Sequence, residues 1–184
     1  ALTTEQVRGL NTGDLNALVS DQFAKFTTAQ VAAMTSDQIA HLTTEDLNAL
    51  GTAQFAALST EQVAALTSVQ LPKLESADLR AISTAALRAL SSDQVADLTS
   101  DQIGQLTTAQ VAALNINPDQ FGGLSTADVV ALSSAQVASL TAAQMANLST
   151  AQIAAIETAD IKSLSTSALR ALSSDQLDAL TNGQ

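Results

Sequence analysis

The chain has 184 residues, a net charge of −11, 46% hydrophobic residues, 2% aromatics and no cysteine. That apolar content excludes an acidic disordered tail, and the missing cysteines exclude a disulfide framework and thiolate metal sites. The negative charge, without basic or aromatic stripes, argues against nucleic acid as a partner, and no apolar run approaches the roughly 18–20 residues of a membrane span, so no membrane insertion is expected.

From Leu2 onward one eight-residue unit repeats: apolar, Ser/Thr, Ser/Thr, variable, Gln/Asp, apolar, small, small. Position 1 is Leu2, Leu10, Leu18, Phe26, Met34 and so on to Leu180; position 6 is Val7, Leu15, Phe23, Val31 and so on to Leu177. The spacing of three from position 6 to the next position 1 puts both on one helical face, which nominates Val31, Met34, Val63, Leu66, Phe121 and Leu124 as core. Positions 2 and 5 have the spacing of a capping box, in which a hydroxyl accepts the N3 amide while the N3 side chain reaches back to the cap amide. The predicted caps include Thr27, Thr35, Ser59, Asn117 and Ser149, with Gln30, Gln38, Gln62, Gln120 and Gln152 as their partners. Position 5 is Gln or Asp in every unit except at Ala86 and Ala168.

Charge repeats with the same polarity. Fourteen of the eighteen acidic residues lie at positions 4 and 5, Glu75 and Glu157 take the cap position itself, and all seven basic residues lie at positions 7 or 8. Many short helix dipoles favour acid at the start and base at the end of each unit. One unbroken helix fails, because eight residues advance about 800° and the apolar positions would drift about 80° per unit. A β-solenoid fails because the apolar spacings are five and three, not two. Each octad is therefore expected to be one capped helix of about six or seven residues, too short to stand alone. The predicted fold is all-α: an α-solenoid, or superhelix, of about 22 octapeptide repeats forming a single domain over residues 1–184.

Along the chain, the octads from Leu2 to Leu114 keep phase, and Pro72, at position 7, is expected to fray its helix. The insertion Asn115-Ile116 breaks phase once, placing Pro118 at position 3, the N1 site where proline is welcome. With Gly122-Gly123 following, residues 114–124 are the expected joint. Glu75–Leu98 recurs nearly intact as Glu157–Leu180, the mark of block duplication. A longer period of four octads shows in NTGDLNAL (11–18), TTEDLNAL (43–50) and ESADLRAI (75–82). Beginning in mid-repeat at Ala1-Leu2 and closing part-way through the next at Gln184, the chain is expected to be a piece of a longer array.

Chemistry-bearing groups do not converge. His41 is the sole histidine, at position 8, where a solvated helix-end role explains it. The serines lack an evident base for a hydrolase triad, and Glu45-Asp46 sit in a first turn where capping accounts for them. No phosphate loop, zinc spacing or calcium loop is present, so neither an enzyme nor a cofactor or metal site is expected. Regular Ser/Thr spacing raises an ice-binding surface as a minor alternative, against which stands the engagement of those hydroxyls in capping.

The octads LTTAQVAAL, LSTEQVAAL and LTSDQIGQL resemble the short Ala/Gln/Thr repeats of very large proteobacterial secreted and surface proteins labelled haem-utilisation, adhesion or haemagglutinin-like, over nearly the whole chain apart from 115–118. The resemblance implies a secreted or cell-surface location. It also implies, as partners, other domains of a longer parent polypeptide and a host or cell-surface protein. No haem-ligating residue carries over from it, since His41 stands alone without Tyr or Cys. The expected role is a structural spacer module, and the alternative is a solenoid that binds a ligand or protein.

Overall fold

A helix leaves its first four N–H and last four C=O groups without intrahelical partners, so a helix of one octad is almost entirely ends. Its stability has to come from caps and from neighbours. The computed structural model, which describes residues 2–114 and 123–184, is built on that constraint. Its described residues form twenty α-helices of four to six residues, one 3-10 turn and no strand. Nine of them have the expected six residues, over positions 3–8 of the octad, and the others end one or two residues sooner; position 1 lies outside the helix in each. Met34 (φ −61°, ψ 146°) and Thr35 (φ −77°, ψ 159°) are both extended and together make a corner. Each corner thus consists of one apolar residue and the cap of the next helix.

The chain divides into two compact units, Ala1–Leu90 and Ser91–Gln184. The first holds α1 (Thr4–Gly9), α2 (Thr12–Asn16), α3 (Ser20–Phe23), α4 (Thr28–Ala33), α5 (Ser36–His41), α6 (Thr44–Asn48), α7 (Thr52–Ala56), α8 (Thr60–Ala64), the 3-10 turn Leu71–Lys73, α9 (Ser76–Ala81) and α10 (Thr84–Leu87). The second holds α11 (Ser92–Ala96), α12 (Ser100–Gln105), α13 (Thr108–Ala113), α14 (Thr126–Ala131), α15 (Ser134–Ala138), α16 (Ala142–Asn147), α17 (Thr150–Ala155), α18 (Thr158–Ile161), α19 (Thr166–Arg170) and α20 (Ser174–Asp178).

Within the first unit α1 packs on α4, α2 on α5, α3 on α6, α4 on α7, α5 on α8, α7 on α9 and α8 on α10. Every pair is 24 residues apart, so three octads complete one turn. In the second unit α14 packs on α17, α15 on α18, α16 on α19 and α17 on α20 at the same spacing. The pairs α12 with α14 and α13 with α15 are offset by two further residues, the length of the insertion between them. Each unit is a helical-repeat solenoid of three-sided turns.

Positions 1 and 6 point into the stack. Val31, Met34, Val63, Leu66 and Leu124 are all buried, and Phe23 and Phe26 pack with ring centroids 5.3 Å apart. Phe121 lies outside the described residues, as does the phase break at 115–116. Among the described residues no helix is long and apolar enough to cross a membrane.

Pro72 does more than fray a helix. Its octad forms no α-helix; the segment tightens into the 3-10 turn, where the ring falls at the start and its missing N–H is harmless. Thr67 and Gln70 keep the capping geometry ahead of it, with Gln70 N donating to Thr67 Oγ1 at 3.2 Å and Thr67 N to Gln70 Oε1 at 3.0 Å. Gly104 has a different reason. A Cβ there would lie 2.7 Å from the Ala131 carbonyl oxygen, so α12 approaches α14 more closely than any side chain allows.

Candidate functional site

The most repeated polar arrangement in the molecule is the contact of position 5. In α4, Thr27 Oγ1 accepts from Gln30 N at 3.2 Å while Gln30 Oε1 accepts from Thr27 N at 2.7 Å. The same pair of bonds joins Thr35 with Gln38, Ser59 with Gln62 and Ser149 with Gln152. Asn117 and Gln120 lie outside the described residues. Val19 and Gly51 occupy the cap site without a side-chain acceptor, yet Gln22 and Gln54 still receive the cap amide, at 2.9 and 3.2 Å. Glu75 and Glu157 stand at cap positions and make no cap hydrogen bond.

The amide nitrogen of the same glutamine has a second task. Gln38 Nε2 donates to the Val7 carbonyl at 2.9 Å and the Leu10 carbonyl at 2.7 Å, the orphaned end of α1. Gln62 reaches Val31 and Met34 at 2.8 Å each, Gln70 reaches Ile39 and Leu42, and in the second unit Gln176 reaches Met145 and Leu148. Gln152 donates to Leu124 and Gln30 to Leu2. One side chain therefore closes the start of its own helix and the end of a helix in the previous turn. The carbonyls lie 31 and 28 residues back, so these bonds tie octads together across the turn while the helices stack at 24. Gln38, Gln62 and Gln152 are buried, where an unmet amide would carry its full desolvation penalty.

Aspartate at position 5 cannot donate. Asp46 instead accepts from Ser20 Oγ at 3.0 Å, Asp128 from Ser100 Oγ at 2.7 Å, and Asp160 from Ser134 Oγ. In each case the donor is a position-3 serine of the preceding turn. Asp78 lacks such a contact. It is buried, with Glu75 nearby, and desolvation, aided by the Glu75 charge, pushes its carboxyl up to about 6.

His41 is exposed, its Nδ1 lying 2.8 Å from the Asp37 carbonyl oxygen and 3.3 Å from Asp37 Oδ1. Among the described residues no three His, Cys, Asp or Glu side chains group so as to hold a metal ion. A groove of about 630 Å³ opens at the first turn beside Leu2, Leu18, Lys25 and Phe26. Sequence reasoning found the local half of the glutamine contact and missed the half that crosses the turn. A signal for it was present: glutamate, a usual partner in a capping box, never occupies position 5. A cap alone tolerates Glu, whereas donation to a carbonyl does not.

No curated protein sequence matches the chain. The family model of the ALTTAQ repeat matches residues 10–44, 42–74, 71–108, 115–150 and 153–184. Its unit is close to four octads, the span over which a glutamine reaches the carbonyls it closes. With most of its length covered by these five matches, the chain belongs to the ALTTAQ repeat family.

Proposed function

We propose that the chain is a spacer module of a large bacterial secreted or surface protein, adhesin-like in organisation, and that it sets the distance between other domains of its parent polypeptide. The observation that carries this reading is the sameness of the turn-to-turn contact. Gln38, Gln62 and Gln70 bond the preceding turn through the same two carbonyl positions. A turn can thus be added or removed without altering the cross-section, as in other repeat arrays. The buried glutamines Gln38, Gln62 and Gln70 are engaged with backbone at both ends of the side chain, which suits a part whose product is length.

The test uses the first unit. Cysteines placed at exposed Arg8 and Lys73 give unique labelling sites, since the chain has none of its own. Inserting a second copy of residues 34–57, one turn, should lengthen the distance between the labels by about 10 Å, the packing separation of neighbouring helices, with helicity per residue unchanged. An unchanged distance, or loss of cooperative melting, would sink the spacer reading.

A further inference from the structure

One corner inside the first unit gathers hydrogen-bond acceptors with no donor to meet them. Asp78 is only 4% exposed, and no hydrogen bond reaches its carboxyl group. It stands at position 5, where Gln38, Gln62 and Gln70 send Nε2 to the carbonyls 31 and 28 residues back. For Asp78 those carbonyls belong to Leu47, in the last turn of α6, and to Leu50, whose carbonyl accepts no hydrogen bond. Asn48 lies between them in the chain. Its Nδ2 donates to the Lys73 carbonyl at 2.8 Å, which lays the side chain on the corner leading into α9. Its Oδ1 is buried and without a partner, the one such side-chain atom among the described residues. In the glutamine octads Nε2 also comes within 3.3 Å of the Arg8 carbonyl and 3.4 Å of the Ala40 carbonyl, the residues that correspond to Asn48. Asn48 therefore borders the space that a glutamine amide fills elsewhere. Glu75 is close enough for its charge to act on the Asp78 carboxyl.

Oxygens gathered without a hydrogen to receive call for a positive centre. A proton serves one of them and a water two, whereas a hard cation takes them all. We propose that this corner is a calcium site, in which the ion takes the place of the glutamine amide. Its ligands are the Asp78 carboxylate, Asn48 Oδ1 and the Leu47 and Leu50 carbonyls, with Glu75 as the second carboxylate and water completing the shell. Calcium accepts such a mixture of carboxylate, amide and backbone oxygens in flexible geometry, whereas magnesium demands a near-ideal octahedron. Aspartate is one methylene shorter than glutamine, which leaves room for the ion, and the carbonyls stand at the negative end of the α6 dipole. The neutral oxygens take the part that a third acidic side chain plays in other sites. With two carboxylates, one of them on an exposed residue, the affinity belongs at the weak end of the calcium range, a Kd of about 10⁻⁴–10⁻³ M. Asp46, Asp128 and Asp160 each receive a serine hydroxyl, so the same position there is already supplied.

Calorimetric titration of the 184-residue chain with calcium chloride tests this, at about pH 7 in about 0.15 M sodium chloride to screen the general attraction of an acidic chain for cations. One saturable site per chain is expected, with amide NMR shifts centred on residues 47–50 and 75–78. Melting temperature should rise by about 4 °C in about 10 mM calcium. Asp78→Gln sets an amide against the two carbonyls, so it should abolish both the binding and the calcium-dependent rise while helicity is kept. Asn48→Ala should weaken binding roughly tenfold, and Asp160→Asn, at a corner that Ser134 supplies, should leave it unchanged. No saturable binding to the parent chain, binding that survives Asp78→Gln or is indifferent to Asn48→Ala, or shifts centred elsewhere would overturn the proposal.

Discussion

The octads of Gln62 and Asp78 share the capping position and the buried setting, yet their side chains meet opposite environments. Gln62 finds Ser59 N for its oxygen and two carbonyls for its nitrogen. Asp78 has the Leu47 and Leu50 carbonyls at the corresponding offsets, but it has nothing to donate, and Thr52, in the place where Ser20 serves Asp46, makes no bond to it. The comparison teaches that burial at position 5 is neutral only when a donor faces the carbonyls, or a hydroxyl faces the carboxylate. Where neither holds, the group holds its proton more tightly.

Gln62→Glu should break the contrast most severely. It keeps the oxygen that receives the cap amide and sets a carboxylate against two carbonyls, for a loss of about 3 kcal/mol at pH 7. Urea unfolding at pH 4 should recover part of that loss, because a protonated carboxyl can donate. The reverse exchange, Asp78→Gln, should stabilise the chain by about 1–2 kcal/mol at neutral pH by restoring the cross-turn donor. Its pH signature follows from the raised carboxyl. With a pKa of about 6 folded against an ordinary 3.8, the folded chain binds the proton more tightly than the unfolded one. The contribution of Asp78 to stability is thus full below about pH 4 and is lost as pH rises through 6. The Asp78→Gln variant should lack that decline, read as melting temperature between pH 4 and 7.

Ser20→Ala tests the carboxylate side of the comparison. It strips Asp46 of its cross-turn donor and should cost about 1 kcal/mol by chemical unfolding, with Ser36→Ala, which carries no such contact, as its control. The smallest effect belongs to Gly51→Ser, which supplies the hydroxyl missing from that cap. A gain of a few tenths of a kcal/mol is expected, since Gln54 already holds the Gly51 amide.

Much of the fold was legible in the sequence because it is local. Caps at Thr27 and Ser59, their glutamines three residues on, and the apolar pair at positions 6 and 1 all lie within one octad, and residue type at each place follows from helix-end chemistry. The number of octads per turn was not legible. It depends on how corner dihedrals accumulate over 24 residues, and the four-octad likeness of 11–18 and 43–50 pointed to a different spacing. Both spacings are real: helices stack at three octads, while position 5 reaches nearly four. The environment of Asp78 was hidden for the same reason, since its neighbours come from another turn. At Pro72 the register was right and the outcome differed, because a tight 3-10 turn absorbs a proline that an α-helix rejects.

The family unit of about four octads and the turn of three octads are out of step, and this acts as a vernier. Asp14, Asp46 and Asp78 are successive by the longer count, so each moves on by one side of the three-sided stack, and between them they visit all three. Gain or loss of a single octad leaves every cap intact and rotates everything after it by a third of a revolution. An array built this way can change its length in eight-residue steps while choosing afresh which side of the stack each later octad faces.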